Sequence, residues 1–96
     1  MIIDKGVAAG EVITLKLTSG EEIVARLVED AISFYKISKP FVIGHTPNGP
    51  GLMPYLFTVS PDKDIKMLKT AVTVAEATDK QFADQYLQST TGISMA

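Results

Sequence analysis

Thr14-Leu15-Lys16-Leu17-Thr18-Ser19-Gly20-Glu21-Glu22-Ile23-Val24-Ala25-Arg26-Leu27 is the stretch that decides the fold of this chain. In its first arm, which begins at Glu11, Ile13, Leu15 and Leu17 alternate with Thr14 and Lys16. That period of two marks a half-buried strand. In the second arm, Glu22 to Glu29, the alternation sets Ile23, Ala25 and Leu27 inward and Glu22, Val24, Arg26 and Val28 outward. Thr18-Ser19-Gly20-Glu21 lies between them, and Gly20 can take the positive φ that a tight turn needs. Matching periods joined by a short glycine turn predict a β-hairpin.

Outward from the hairpin, Glu29-Asp30-Ala31 breaks the pattern. Ile32 to Ile43 is rich in β-formers and predicts a third strand, which Pro40 should bend or place on an edge. His45-Thr46-Pro47-Asn48-Gly49-Pro50-Gly51 reads as a loop. Tyr55-Leu56-Phe57-Thr58-Val59 predicts a compact strand, and Ile65 to Leu68 a further strand or the same one resumed after a bulge. Val72 to Ala75 predicts the last strand. The period then changes. Thr78 with Gln81 three residues on has the spacing of a capping box, and Phe82, Ala83, Tyr86 and Leu87 share one helical face. Gly92 is placed to end that helix. The expectation is a mostly β protein: five or six short antiparallel strands in a small, strongly bent barrel, with one C-terminal helix. Residues 1–10 form an N-terminal extension, 11–76 the barrel, and 77–96 the helix and tail.

The 96 residues suffice for one domain, and they contain no Cys to supply a disulfide or a thiolate metal site. A core this small is marginal alone, and oligomerisation is the ordinary remedy. The net charge of −2 argues against coating nucleic acid or an anionic membrane by bulk charge. All five prolines lie between Pro40 and Pro61, a stretch without a charged residue, but one too rich in Pro and Gly to span a membrane as a helix. Met1-Ile2-Ile3-Asp4-Lys5-Gly6 lacks the basic start and long apolar region of a secretory signal, so a cytoplasmic location is expected. A Ser-His-Asp arrangement would have to recruit His45, the one histidine, from the Pro/Gly loop, where such a residue is ordinarily just solvated. Phosphate-loop, zinc-protease and paired-cysteine motifs do not occur. Asp62 and Asp64 flank Lys63 without the further oxygen ligands a calcium site requires. The sequence points to no enzyme, no cofactor and no metal.

Tyr55–Val59 and Thr70–Ala75 are β-prone, short and uncharged. Exposed edges of that kind invite pairing. Either these strands are internal or covered by the helix, or a neighbouring subunit meets them. Under the second reading Tyr55, Leu56, Phe57, Thr58 and Val59 on one edge and Val72, Thr73 and Val74 on the other form a heterologous interface, which closes into a ring when the angle permits.

The hairpin resembles the first motif of the Sm and Sm-like family: a leucine, a turn glycine three residues later, then a small residue and a leucine late in the second strand. Here these are Leu17, Gly20, Ala25 and Leu27, with Ala25 where the family usually has glycine. The resemblance spans roughly Glu11 to Glu76, fits the family's five-strand order, and extends to short Sm-like proteins of marine bacteriophages. The family's helix usually precedes the first strand, whereas here it follows Thr78. The resemblance implies a homo-oligomeric ring that holds single-stranded RNA near its pore. The family grips RNA with an Asp-x-apolar-Asn segment after the second strand and an Arg-Gly turn before the last. Asp30 stands for the aspartate, with Ser33 near the place of the asparagine, and Lys69-Thr70-Ala71 stands for the Arg-Gly turn. Lysine keeps the charge but gives up the planar fork of arginine. Phe34 and Tyr35 are candidate stacking surfaces. The competing expectation is a structural or adaptor ring whose partner is another protein, with the uncharged Gly44–Met53 loop as contact surface.

Overall fold

A computed structural model describes residues 7–90. It contains strands β1 (Val12–Leu17), β2 (Glu22–Asp30), β3 (Phe34–Thr46), β4 (Gly49–Pro54), β5 (Asp64–Leu68) and β6 (Val72–Ala77), a 3-10 turn at Lys69–Ala71, and helix α1 (Lys80–Thr90). The predicted hairpin is present, with Val12 opposite Arg26 and Lys16 opposite Glu22. Gly20 sits at φ +107°, in the turn closed by the Leu17 amide donating to the Glu21 carbonyl at 2.9 Å.

The strands form one antiparallel sheet in the order β4-β3-β2-β1-β6, with β5 also on β3. Phe41–Thr46 of β3 pairs with β4 and Phe34–Ser38 with β5. Because β2 takes the opposite edge of β3, β4 and β5 behave as one edge strand interrupted at residues 55–63. Among the described residues no ladder joins this edge to β6, so the antiparallel sheet is not closed into a barrel.

Two further expectations fail for physical reasons. Tyr55–Val59 is not a strand but a run of bends. The edge of β3 is already occupied by β4 and β5, so β propensity there finds no partner. Conversely, His45–Gly51 is not a loop. It folds as the tip of a β3–β4 hairpin around Pro47-Asn48, with Gly49 at φ +108° and the Thr46 hydroxyl donating to the Gly49 carbonyl at 2.6 Å. Pro50 and Pro54 are tolerated because β4 is an edge strand, where some amides need no partner. The contact loop proposed for Gly44–Met53 is therefore largely a ladder.

One face of the sheet holds the core: Ile13, Leu15, Leu17, Ile23, Ala25, Leu27, Ile37 and Met67, joined by Val7 from the segment before β1. Val24, expected outside, is also buried. The helix explains this. Tyr86, only 1% exposed, packs its ring edge-on against Phe41, the cross-strand partner of Val24 on the other face. The Tyr86 hydroxyl lies 3.0 Å from the Ser38 carbonyl and 2.8 Å from the Lys39 carbonyl, donating to this pair. Here the β2–β3 register slips by one residue and Lys39 takes φ +49°, so the bend expected at Pro40 is a bulge. The helix cap is Asp79, not Thr78: the Gln81 amide donates to the Asp79 carboxylate at 3.2 Å. Thr78 instead extends the β1–β6 pairing, its amide donating to the Val12 carbonyl and its hydroxyl bonding that of Thr14 at 2.8 Å. Gly92 and the tail lie outside the described residues. Among the described residues no helix is long and apolar enough to cross a membrane.

Burial pushes the Tyr86 phenol up to about 12, against the opposing pull of the Arg26 amide and charge. The folded state thus favours the neutral phenol. Its contribution is complete below the ordinary tyrosine value of about 10 and is lost as pH rises through about 12. Tyrosinate absorbance should show a component titrating near 12, coinciding with loss of stability and absent in Tyr86→Phe. Leaving the two bulge carbonyls without this donor should cost about 1–3 kcal/mol in denaturant unfolding at neutral pH.

Candidate nucleic-acid interface

Asp30 and Lys69, which the family resemblance assigns to RNA contact, are 39 residues apart in sequence. The structure brings the Lys69 ammonium to 2.6 Å from Asp30 Oδ1. Three local features make the meeting possible. β2 gains a residue relative to β3 between Leu27 and Glu29, which places Asp30 opposite Tyr35. β5 pairs with β3 so that Tyr35 faces Met67 and Phe34 faces Leu68, bringing the chain to Lys69 at the same end of the sheet. The Lys69 amide then donates to the Ser33 carbonyl at 2.9 Å and ties the 3-10 turn to the β2–β3 connection.

The Lys69 ammonium also lies 4.7 Å from the centre of the Tyr35 ring. A carboxylate and an aromatic face therefore share this cation. Tyr35 packs against the core, as alternation from Ile37 requires, and its ring is not a free stacking platform. On the other face Glu29 and its cross-strand partner Lys36 approach to 3.7 Å, and the Lys66 ammonium stands 5.1 Å from the Phe34 ring centre. Ile32, at the tip of the connection, is 98% exposed, and Leu68, opposite Phe34, is 57% exposed. The pattern gave no signal for this apolar rim, because Ile32 reads in sequence as the start of a strand. The site thus combines paired charges, two aromatic rings covered by lysines, and an exposed aliphatic tip.

The expected interface residues are dispersed. Tyr55 and Leu56 are half-buried; Phe57, Thr58 and Val59 are exposed on the bent segment. Val72 packs against the core, while Thr73 and Val74 are exposed on β6. His45 is exposed on β3 opposite Pro50, at the rim of a broad groove shared with Glu21, Glu22 and Asp79. In the hairpin turn the Ser19 hydroxyl donates to the Glu21 carboxylate, which holds that carboxyl below its usual value.

No protein-family model matches the chain, and no curated protein matches it.

The Asp30–Lys69 pair is partly exposed, so solvent screens it and its net worth is small. A double-mutant cycle with Asp30→Ala and Lys69→Ala should give a coupling of about 0–1 kcal/mol in denaturant unfolding, leaving both variants folded.

Proposed function

We propose that this chain is an Sm-like, ring-forming protein that binds single-stranded RNA at the ring pore, through Lys69 with Asp30 beside it. The observation that carries the reading is the convergence of these two residues on one end of the sheet, beside Tyr35. The strand order supports it. With β4 and β5 counted as one interrupted strand, the sequence β4/β5, β3, β2, β1, β6 is compatible with the five-strand order that the resemblance implies. Among the described residues β5 and β6 each have one unpaired edge to offer a neighbouring subunit. Repetition around a ring would multiply one lysine per chain into a circle of positive charge, with phosphate contacts weakened by salt.

The second reading is a structural or adaptor ring that binds another protein and no RNA. Neutralisation of Lys69 by Asp30 and the exposed Ile32 and Leu68 beside it favour this one. An aliphatic rim suits a protein surface better than a phosphate backbone.

Light scattering should give a mass several times that of one chain, reduced to a single chain by Val74→Lys, which puts a charge on the β6 edge. A monomer at micromolar concentration would remove both readings. Poly-U and poly-A oligomers, titrated at low and moderate salt, separate them. RNA recognition requires binding that weakens with salt and is lost in Lys69→Ala, whereas no binding at low salt leaves the adaptor.

A further inference from the structure

We propose that a groove between the 55–63 segment, the β3 bulge and the end of α1 binds a small amphipathic carboxylate, its aliphatic body on the apolar floor and its head between Lys39 and Lys63. The groove, open along one side to solvent, has a volume of about 360 Å³, within the range of small-ligand sites. Pro40, Leu56, Phe57 and Ile65 contribute to a lining that is predominantly apolar. Among the described residues its charged members are the two lysines; Asp62 and Asp64 adjoin Lys63 in sequence but do not line it.

The distribution of cations makes this selective for an anion. Among the described residues, Lys36, Lys69 and Lys80 are held by carboxylates, and Lys66 lies over Phe34. Lys16, Lys39 and Lys63 have neither kind of partner, and two of these three line the one groove. An aliphatic cation would meet two like charges there, and a neutral alcohol would bring no countercharge to either.

The backbone supplies an independent observation. Lys39 is the one residue other than glycine at positive φ among those described. Lysine is disfavoured in that conformation, and such strain persists where surrounding contacts hold it. The Tyr86 hydroxyl, bonded to the Lys39 carbonyl, is that contact. It fixes the bulge from which the Lys39 side chain enters the groove wall. Phe57, 81% exposed at the same wall, is a large ring with almost no cover of its own. A ligand with an aliphatic body would give it one.

The inference depends on neither the ring nor the RNA reading, and its test uses the whole chain. Decanoate, decanol and decylammonium are titrated separately, with backbone amide shifts followed by NMR. The expected result is saturable binding of one decanoate per chain, shifting Phe57 and Ile65, with decylammonium failing to bind. Lys39→Gly combined with Lys63→Gln should weaken decanoate binding about tenfold, the loss expected for charge-assisted contacts. Glycine is at ease at this φ, so the fold is preserved. Equal binding of all three probes, or no decanoate binding, would overturn the proposal. If decanoate does not bind and Phe57→Ser lowers the mass of the assembly, the groove belongs to a second copy instead.

Discussion

One phenol proton, placed between two carbonyls of a single bulge, coordinates the two faces of this sheet. Tyr86 has only one hydrogen to donate, and the Ser38 and Lys39 carbonyls both lie within reach of it. Its position matters because of what the bulge does to alternation. Counting by twos from Ile37, which is buried in the core, Phe41 would also point inward. The extra residue at Lys39-Pro40 reverses the parity. Val42 joins the core side and Phe41 turns outward to meet the Tyr86 ring. A one-residue shift thus gives the sheet a second apolar face, on which Val24 is buried, and supplies the helix with its seat.

This arrangement explains which parts of the fold were legible in the sequence. The β1–β2 hairpin was, because each arm keeps a strict period against one core and Gly20 marks the turn. Helix α1 was, because Phe82, Ala83, Tyr86 and Leu87 recur at helical spacing. Its cap was off by one residue because Thr78 and Asp79 both suit the role, and the β1 strand claims Thr78. The β3–β4 hairpin was not legible. Its proline and glycine content describes a loop unless the segment is known to lie on an edge, and edge position is a property of the whole sheet. Tyr55–Val59 failed conversely: its propensity was real, but a strand requires an unpaired neighbour.

The candidate site was half legible. Asp30 and Lys69 were identified through the resemblance, yet no periodicity could bring them together, since their meeting requires the slip between Leu27 and Glu29 and the docking of β5 on β3. Nor could the sequence show that Tyr35 would be covered by the Lys69 ammonium. Opposite charges at one end of a sheet mean little until their distance is known. At 2.6 Å the Lys69 ammonium already has the Asp30 carboxylate as its partner. Any anion at this site must compete with a carboxylate already in place. The competition is mild, because the pair is half in water.

The two edges of the sheet are not equivalent, and the difference restricts how copies of the chain could associate. The β4 portion of one edge carries Pro50 and Pro54, which have no amide hydrogen to give to a neighbour. The β5 portion, Asp64–Leu68, has no proline and is five residues long. At the other edge β6 is six residues long, also without proline, and carries Glu76 as its one charge. Pairing between β5 of one copy and β6 of the next would therefore meet amides without proline on both sides, in two segments of nearly equal length. Such a contact joins unlike edges and repeats head to tail, so its product is a ring or a filament according to the angle between successive copies. It would also place the turn that carries Lys69 between the two pairing strands, because Lys69–Ala71 is the link from β5 to β6. Assembly and the charged site would then be neighbours along the chain.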